Sequence, residues 1–189
     1  MKKIISLFQR NYETDHFVRD EVAPGAEWVV NGEGVAYRKY DGTCCMVRDG
    51  KLYKRYDAKN GKTPPSNFEP AQDPDPVTGH WPGWLPVGEG DKWHLEAWND
   101  IASGAEFFGP PGDGTYELCG PKVNGNPEGF TSHILVPHKM EENPGAPRTF
   151  EGIKDYLKHV ELPFEGLVWH HPDGRMVKIK RKDFDLTGY

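Results

Sequence analysis

The sequence predicts an α+β fold, built mainly from short strands and hairpins with few helices. Two observations carry this expectation. Glycine and proline number 22 and 17 in 189 residues, which multiplies turns and shortens helices. Two Asp-Gly turns, Asp49-Gly50 and Asp173-Gly174, each separate two β-rich runs, a strong short-range hairpin signal. The length suits one domain over residues 1–189 with a sizeable core. Hydrophobic residues reach only 36% while aromatics reach 12%, so that core must rest heavily on buried rings.

In chain order, Ile4, Ile5, Leu7 and Phe8 form a short apolar start, followed by a polar stretch over residues 9–21. Residues 24–30 suit a short helix with Pro24 in its first turn, ended by Asn31-Gly32-Glu33-Gly34. Residues 35–56 then read as a hairpin: one strand over 35–47, the turn Arg48-Asp49-Gly50, and a return strand over 51–56. That pairing would bring Arg55 near Lys39. Residues 60–90 hold seven of the prolines and read as a surface loop or insertion, anchored by Phe68, Trp81 and Trp84. Asp91 opens a short helix over 91–99. The tryptophans between 81 and 98 are expected to wall a core instead of stacking on bases. Residues 114–120 and 132–137 read as strands, and Thr149 caps a helix reaching about 160, with Phe150, Ile153, Leu157 and Val160 on one face. A second hairpin pairs 164–170 with 175–182, and two-residue alternation puts Lys178 and Lys180 on one face with Ile179 opposite.

Charge and cysteine usage bound the function. A net charge of -6 excludes a surface that coats nucleic acid throughout, but permits a local basic groove. Cys44, Cys45 and Cys119 fit neither a disulfide framework nor a zinc site, because adjacent cysteines lack ligand spacing. A reducing, cytoplasmic setting is the simplest expectation. No apolar run approaches membrane-spanning length, and the first nine residues are interrupted too early for a signal peptide. The histidines show no metal-ligand spacing.

Four features stand in order: Lys39-Tyr40-Asp41-Gly42-Thr43, Tyr116-Glu117-Leu118-Cys119-Gly120, Glu165-Gly166-Leu167-Val168 and Lys178-Ile179-Lys180. Alone, Lys39 suits an exposed strand lysine and Lys178 with Lys180 a basic strand end; the ordered set is far more specific. It resembles the covalent nucleotidyltransferase superfamily, the lysine-adenylating ligases and messenger-RNA capping enzymes, through the K-x-D-G, E-G-[VL]-V and K-x-K motifs. The Glu117 stretch is similar to the G-E-L-x-G of RNA ligases. Capping enzymes usually carry an arginine two residues after K-x-D-G, where this chain has Thr43-Cys44. The whole is most similar to the stand-alone 5′-3′ RNA ligase family, although Arg38 occupies a position where many RNA ligases have glutamate.

The resemblance implies a nucleotidyltransferase domain of two packed, mainly antiparallel sheets holding the nucleotide, with no OB-fold domain expected in the few residues after Lys180. It implies an ATP-dependent RNA ligase that joins a 5′-phosphate to a 3′-hydroxyl, as in RNA repair, with ATP and Mg²⁺ or Mn²⁺ as cofactors. Lys39 would attack the α-phosphate, while Lys178 and Lys180 neutralise phosphate charge and help keep Lys39 unprotonated. Glu165 would hold the metal. Asp41 and Gly42 would shape the nucleotide site, Glu117 would take the ribose hydroxyls, Arg55 a phosphate, and one of His133, Ile134 and Leu135 the adenine. RNA would lie on Lys54, Lys59, Lys62, Arg175, Arg181 and Lys182, with the protein a monomer. A GTP-dependent guanylyltransferase and a non-catalytic nucleotide- or RNA-binding module are the competing readings.

Overall fold

Short strands dominate the chain, as its turn chemistry requires. The computed structural model describes residues 1–102 and 112–186. The first elements are β1 (Ile5–Ser6), β2 (Phe8–Arg10), β3 (Val18–Val22), α1 (Glu27–Val30), β4 (Val35–Lys39), β5 (Thr43–Arg48) and β6 (Lys51–Ala58). Then come β7 (Glu69–Pro70), β8 (Trp81–Pro86), α2 (Lys92–Ala102), β9 (Gly114–Cys119) and β10 (Ile134–Pro137). Last are α3 (Phe150–His159), β11 (Gly166–His170) and β12 (Met176–Lys180), followed by a 3₁₀ turn at Arg181–Asp183. Strand pairing is antiparallel except where β1 runs parallel to β12. This sheet-rich arrangement with short helices is of the α+β kind. None of the described helices is long and apolar enough to cross a membrane.

The chain divides into two compact units, one of Met1–Lys3 with Asp41–His138, the other of Ile4–Tyr40 with Lys139–Tyr189. The second unit holds the four-stranded sheet β1-β12-β11-β4, the ribbon β2-β3, α1 and α3. Alternation along β11 and β12 sends Leu167, Trp169, Val177 and Ile179 inward, all at 0% exposure. They pack with Leu7, Phe8, Trp28, Ile153 and Leu157. Burial of each such side chain is worth roughly 1.5–3 kcal/mol. Helix α3 forms as its sequence predicts: the Thr149 hydroxyl accepts the Gly152 N–H at 3.2 Å, and Ile153 and Leu157 supply its buried face. The opposite face of the sheet carries Tyr37, Lys39, Val168, Lys178 and Lys180, through the pairs Tyr37↔Val168↔Lys178 and Lys39↔Gly166↔Lys180.

The first unit is built on the six-stranded sheet β10-β9-β5-β6-β8-β7. Helix α2 covers one face, where Cys45, Val47, Leu52, Leu118 and Leu135 meet Ala97, with Trp93 and Trp98 at the margin. Trp84 is buried too, but beside Arg55 on the other face of the sheet, so of the four tryptophans between 81 and 98 only Trp93 and Trp98 wall this core. Asp91 precedes α2, and its carboxylate accepts the Gly88 N–H and the Lys54 ammonium.

Two expectations about elements need correction. Residues 35–47 are not one strand. The chain leaves the four-stranded sheet after Lys39 and enters the six-stranded sheet at Thr43, and Gly42 makes that passage possible. A Cβ there would stand 2.2 Å from the Leu118 carbonyl oxygen, so no larger residue fits. The hairpin that does form, β5-β6, pairs Cys45 with Lys54 and places Arg55 one position beyond, beside Cys44. The strand pairing that would have brought Arg55 to Lys39 therefore does not exist. Residues 60–90 are likewise not all loop, since β8 pairs with β6 over its whole length. Its prolines are tolerated because the Pro82 carbonyl accepts the Ala71 N–H while the Val87 N–H reaches Leu52 O. Even-numbered residues thus turn their main chain away from β6, toward the two-residue β7 and its open edge, where proline removes no ladder bond to β6.

Candidate functional site

In the second unit, strand register gathers four of the expected site residues around Gly166. Lys39 ends β4 opposite Gly166, and Lys180 ends β12 opposite the same glycine. A Cβ on Gly166 would lie 2.1 Å from Ile179 O, so glycine alone allows β11 and β12 this approach. Glu165, immediately before it, is thereby held between the two lysines. One carboxylate oxygen takes the Lys39 Nζ at 2.6 Å and the other takes the Lys180 Nζ at 2.9 Å. The glutamate side chain is 9% exposed. Burial pushes its carboxyl up, but Lys39 and then Lys180 more than offset this and hold it below the usual carboxylate range.

Lys178 shares that face. Burial first, then the positive charges of Lys180 and Lys39, bring its pKa down to about 8, against the opposing pull of Asp183 and Glu165. Three ammonium groups around one carboxylate leave an excess of positive charge, suited to an anion such as a polyphosphate. Buried Asp183 receives Arg10 on one oxygen and the Lys180 N–H on the other at 2.9 Å, which fixes the end of β12. Arg38 faces the other way, pairing with Glu141 at 3.3 Å, donating to Pro163 O at 2.8 Å and stacking over the Tyr40 ring.

In the first unit, the face away from α2 carries the remaining residues. The Asp41 N–H donates to Glu128 at 2.8 Å, and Asn124 Nδ2 donates to the Asp41 carboxylate at 3.0 Å and to Gly42 O at 2.8 Å. Glu117 is the cross-strand partner of Cys44, and His138 Nε2 meets its carboxylate at 2.9 Å. The Arg55 guanidinium donates to Met1 O at 2.6 Å and lies over Trp84.

Several expected roles change with these positions. His133 is only 2% exposed, stacks on Trp93, and has both ring nitrogens engaged, by Glu96 at 2.9 Å and by the Lys122 N–H at 3.2 Å. It is a packed core histidine, with no edge left for a nucleotide. Leu135 lies in the α2-side core, so Ile134 alone of the three stays partly accessible on the Glu117 face. Lys54 is paired with Asp91 on the α2 side, and the half-buried Arg181 donates to Leu157 O. Lys59, Lys62, Arg175 and Lys182 are exposed, Arg175 paired with Asp173. Asn124, Glu128 and His138 were not singled out by sequence. Only His138 had a signal, two positions beyond Val136 at the end of an apolar strand.

Residues 112–188 match the family model for RNA ligase 1. The chain's relatives are RNA ligases. RNA ligase 1 of Mus musculus is 29% identical over 80% of this chain and 67% of its own length. The Pongo abelii RNA ligase 1 is 27% identical over 78% of this chain and 66% of its own. That of Danio rerio is 34% identical over 57% of this chain and 42% of its own. The chain thus spans about two thirds of the length of the mammalian RNA ligase 1 proteins it matches. The match to the RNA ligase 1 family covers β9 to β12, and with them Glu117, Glu165, Lys178 and Lys180.

Proposed function

We propose that this chain is an ATP-dependent RNA ligase with a nucleotidyltransferase fold, which joins 5′-phosphate and 3′-hydroxyl RNA ends through a lysyl-AMP intermediate. The observation that carries the reading is the convergence of Lys39 and Lys180 on the buried Glu165, with Lys178 on the same face of the sheet. A surface lysine cluster would not hold a shared carboxylate at 9% exposure; such perturbed, converging groups mark functional sites.

Lys39 Nζ attacks the α-phosphorus of ATP, the bond to the bridging oxygen of the β-phosphate breaks, and pyrophosphate departs. The amine must first lose a proton. In the resting arrangement its ion pair with Glu165 favours the ammonium form, so Glu165 has to give up Lys39 before attack. Lys180, already on the second carboxylate oxygen, remains as its partner. Lys178 and Lys180 meet the charge that develops on the phosphates. Glu165, once released by Lys39, would offer one carboxylate oxygen as a hard donor to Mg²⁺ or Mn²⁺, and such an ion would neutralise phosphate charge. Glu117 accepts the ribose hydroxyls, Arg55 contacts a phosphate, Asp41 and Gly42 hold the backbone turn, and Ile134 supplies the apolar contact for adenine. RNA rests on Lys59, Lys62, Arg175 and Lys182.

The test is intact-protein mass after incubation with ATP and Mg²⁺. The protein should gain one AMP, and Lys39→Ala should gain none. Modification mapped to Lys178, or an adduct from GTP and not ATP, would overturn the assignment. No adduct from either nucleotide would leave a binding module.

A further inference from the structure

The Cys44, Glu117 and His138 side chains each offer one ligand atom, and the three atoms lie within 4.8 Å of one another. From this geometry we infer that they form a site for a borderline-soft divalent cation of the Zn²⁺ type, separate from the oxygen-donor site at Glu165.

The backbone builds this constellation. Cys44 on β5 and Glu117 on β9 are direct cross-strand partners, so their side chains leave the sheet on one face. Val136 on β10 pairs with Glu117, and His138, two residues on, projects to the same side. The imidazole is then aimed by a second contact, with Nδ1 2.8 Å from the Thr115 hydroxyl and Nε2 toward Glu117. Fixing one ring nitrogen so that the other faces the ligand position is how metal-bound histidines are usually oriented. Adjacent Cys45 is no competitor, for it faces the α2 core at 0% exposure.

The donor set selects the ion. Thiolate and imidazole favour zinc-like cations over Mg²⁺, and three protein ligands leave one tetrahedral position open. Bond lengths of about 2.0–2.3 Å put such ligands roughly 3.2–3.7 Å apart, so closure from the present spread takes a rotamer adjustment of about an ångström. Both anionic ligands balance the charge of the divalent ion. Resting on the reading of Glu117 as the ribose acceptor, an ion here removes that acceptor, and Zn²⁺ competes with ATP.

Co²⁺ added to the full chain without nucleotide tests the site directly, because a thiolate ligand gives a sulfur-to-cobalt charge-transfer band. One equivalent should bind, be displaced by Zn²⁺, and be lost in Cys44→Ser with circular dichroism unchanged. His138→Gln should weaken binding at least tenfold, and Thr115→Val, which acts through His138, about tenfold. Cys119→Ser and Lys39→Ala should keep the band, the latter whether or not adenylylation occurs, which separates this inference from the ligase reading. Absence of a charge-transfer band, or its survival in Cys44→Ser, would overturn the site. If cobalt binds but Zn²⁺ leaves the apparent ATP affinity unchanged, the competition with nucleotide is overturned.

Discussion

Lys178 stands well away from the ordinary chemistry of a lysine. Its pKa lies near 8 because it is buried and then crowded by Lys180 and Lys39. An anion such as ATP favours its charged form, so nucleotide binding takes up a proton once the pH exceeds about 8. Affinity for ATP should be flat below that point and fall above it by up to about tenfold per pH unit. Lys178→Arg, which keeps its charge, should flatten the profile; a decline identical to that of the parent protein would show that another group titrates. The same shift acts on stability. Between about 8 and its unfolded value the unfolded chain binds more protons at this position, so its contribution to stability rises with pH across that window. At neutral pH the charge is a cost. Lys178→Met should therefore raise the melting temperature by a few degrees, on the order of 1–2 kcal/mol after allowing for partial exposure, while depressing adenylylation. That Lys178 and Lys180 share a face was legible from alternation alone. That the pKa of Lys178 would fall was not, because its burial depends on β1, far away in sequence, as well as on the neighbouring β11.

At the scale of elements, the β11-β12 hairpin holds the lysine cluster in register, and Gly166 is its tightest point. A methyl group there would meet Ile179 O at 2.1 Å and Lys180 Cα at 2.8 Å. Gly166→Ala must spread the strands where Glu165 departs. The expected loss is about 1–3 kcal/mol of stability, seen in thermal unfolding, with adenylylation reduced at least tenfold because Glu165 no longer spans Lys39 and Lys180. Full activity in a folded variant would show that this spacing is not critical. This hairpin, α3 and the strand holding Glu117 were readable because local turn, capping and alternation signals agree with the final structure. The break after Lys39 was not, since β-prone residues flank it and the decisive contact, Gly42 against the Leu118 carbonyl, lies on another strand. Strand β8 was hidden by its prolines, whose harmlessness depends on which side of β8 the partner strand lies.

For the whole molecule, a net charge of -6 means that the proposed RNA docking would rest on a local set of cations and depend strongly on ionic strength. Each phosphate neutralised on a single strand contributes a slope of roughly -0.7 in log affinity against log salt. On the proposed reading, lysyl-AMP formation would use groups buried around Glu165, which salt screens far less. On one salt series, RNA sealing should fail well before self-adenylylation does; parallel decline would show that docking is not limiting. The ordered motifs were legible as a set, but the division of the K-x-D-G stretch between two units was not, because no composition shift marks the step from Tyr40 to Asp41. The strand order β1-β12-β11-β4 also bears on how the protein is made. The sheet that carries Lys39 has β12 in its interior, so it cannot close until the C-terminal hairpin has been synthesised. Throughout translation of the intervening unit, β4 waits without its neighbour β11, and Lys39 waits without Glu165. A nascent or prematurely terminated chain therefore carries Lys39 without Glu165, Lys178 or Lys180, and the proposed chemistry would be reserved for chains translated through β12.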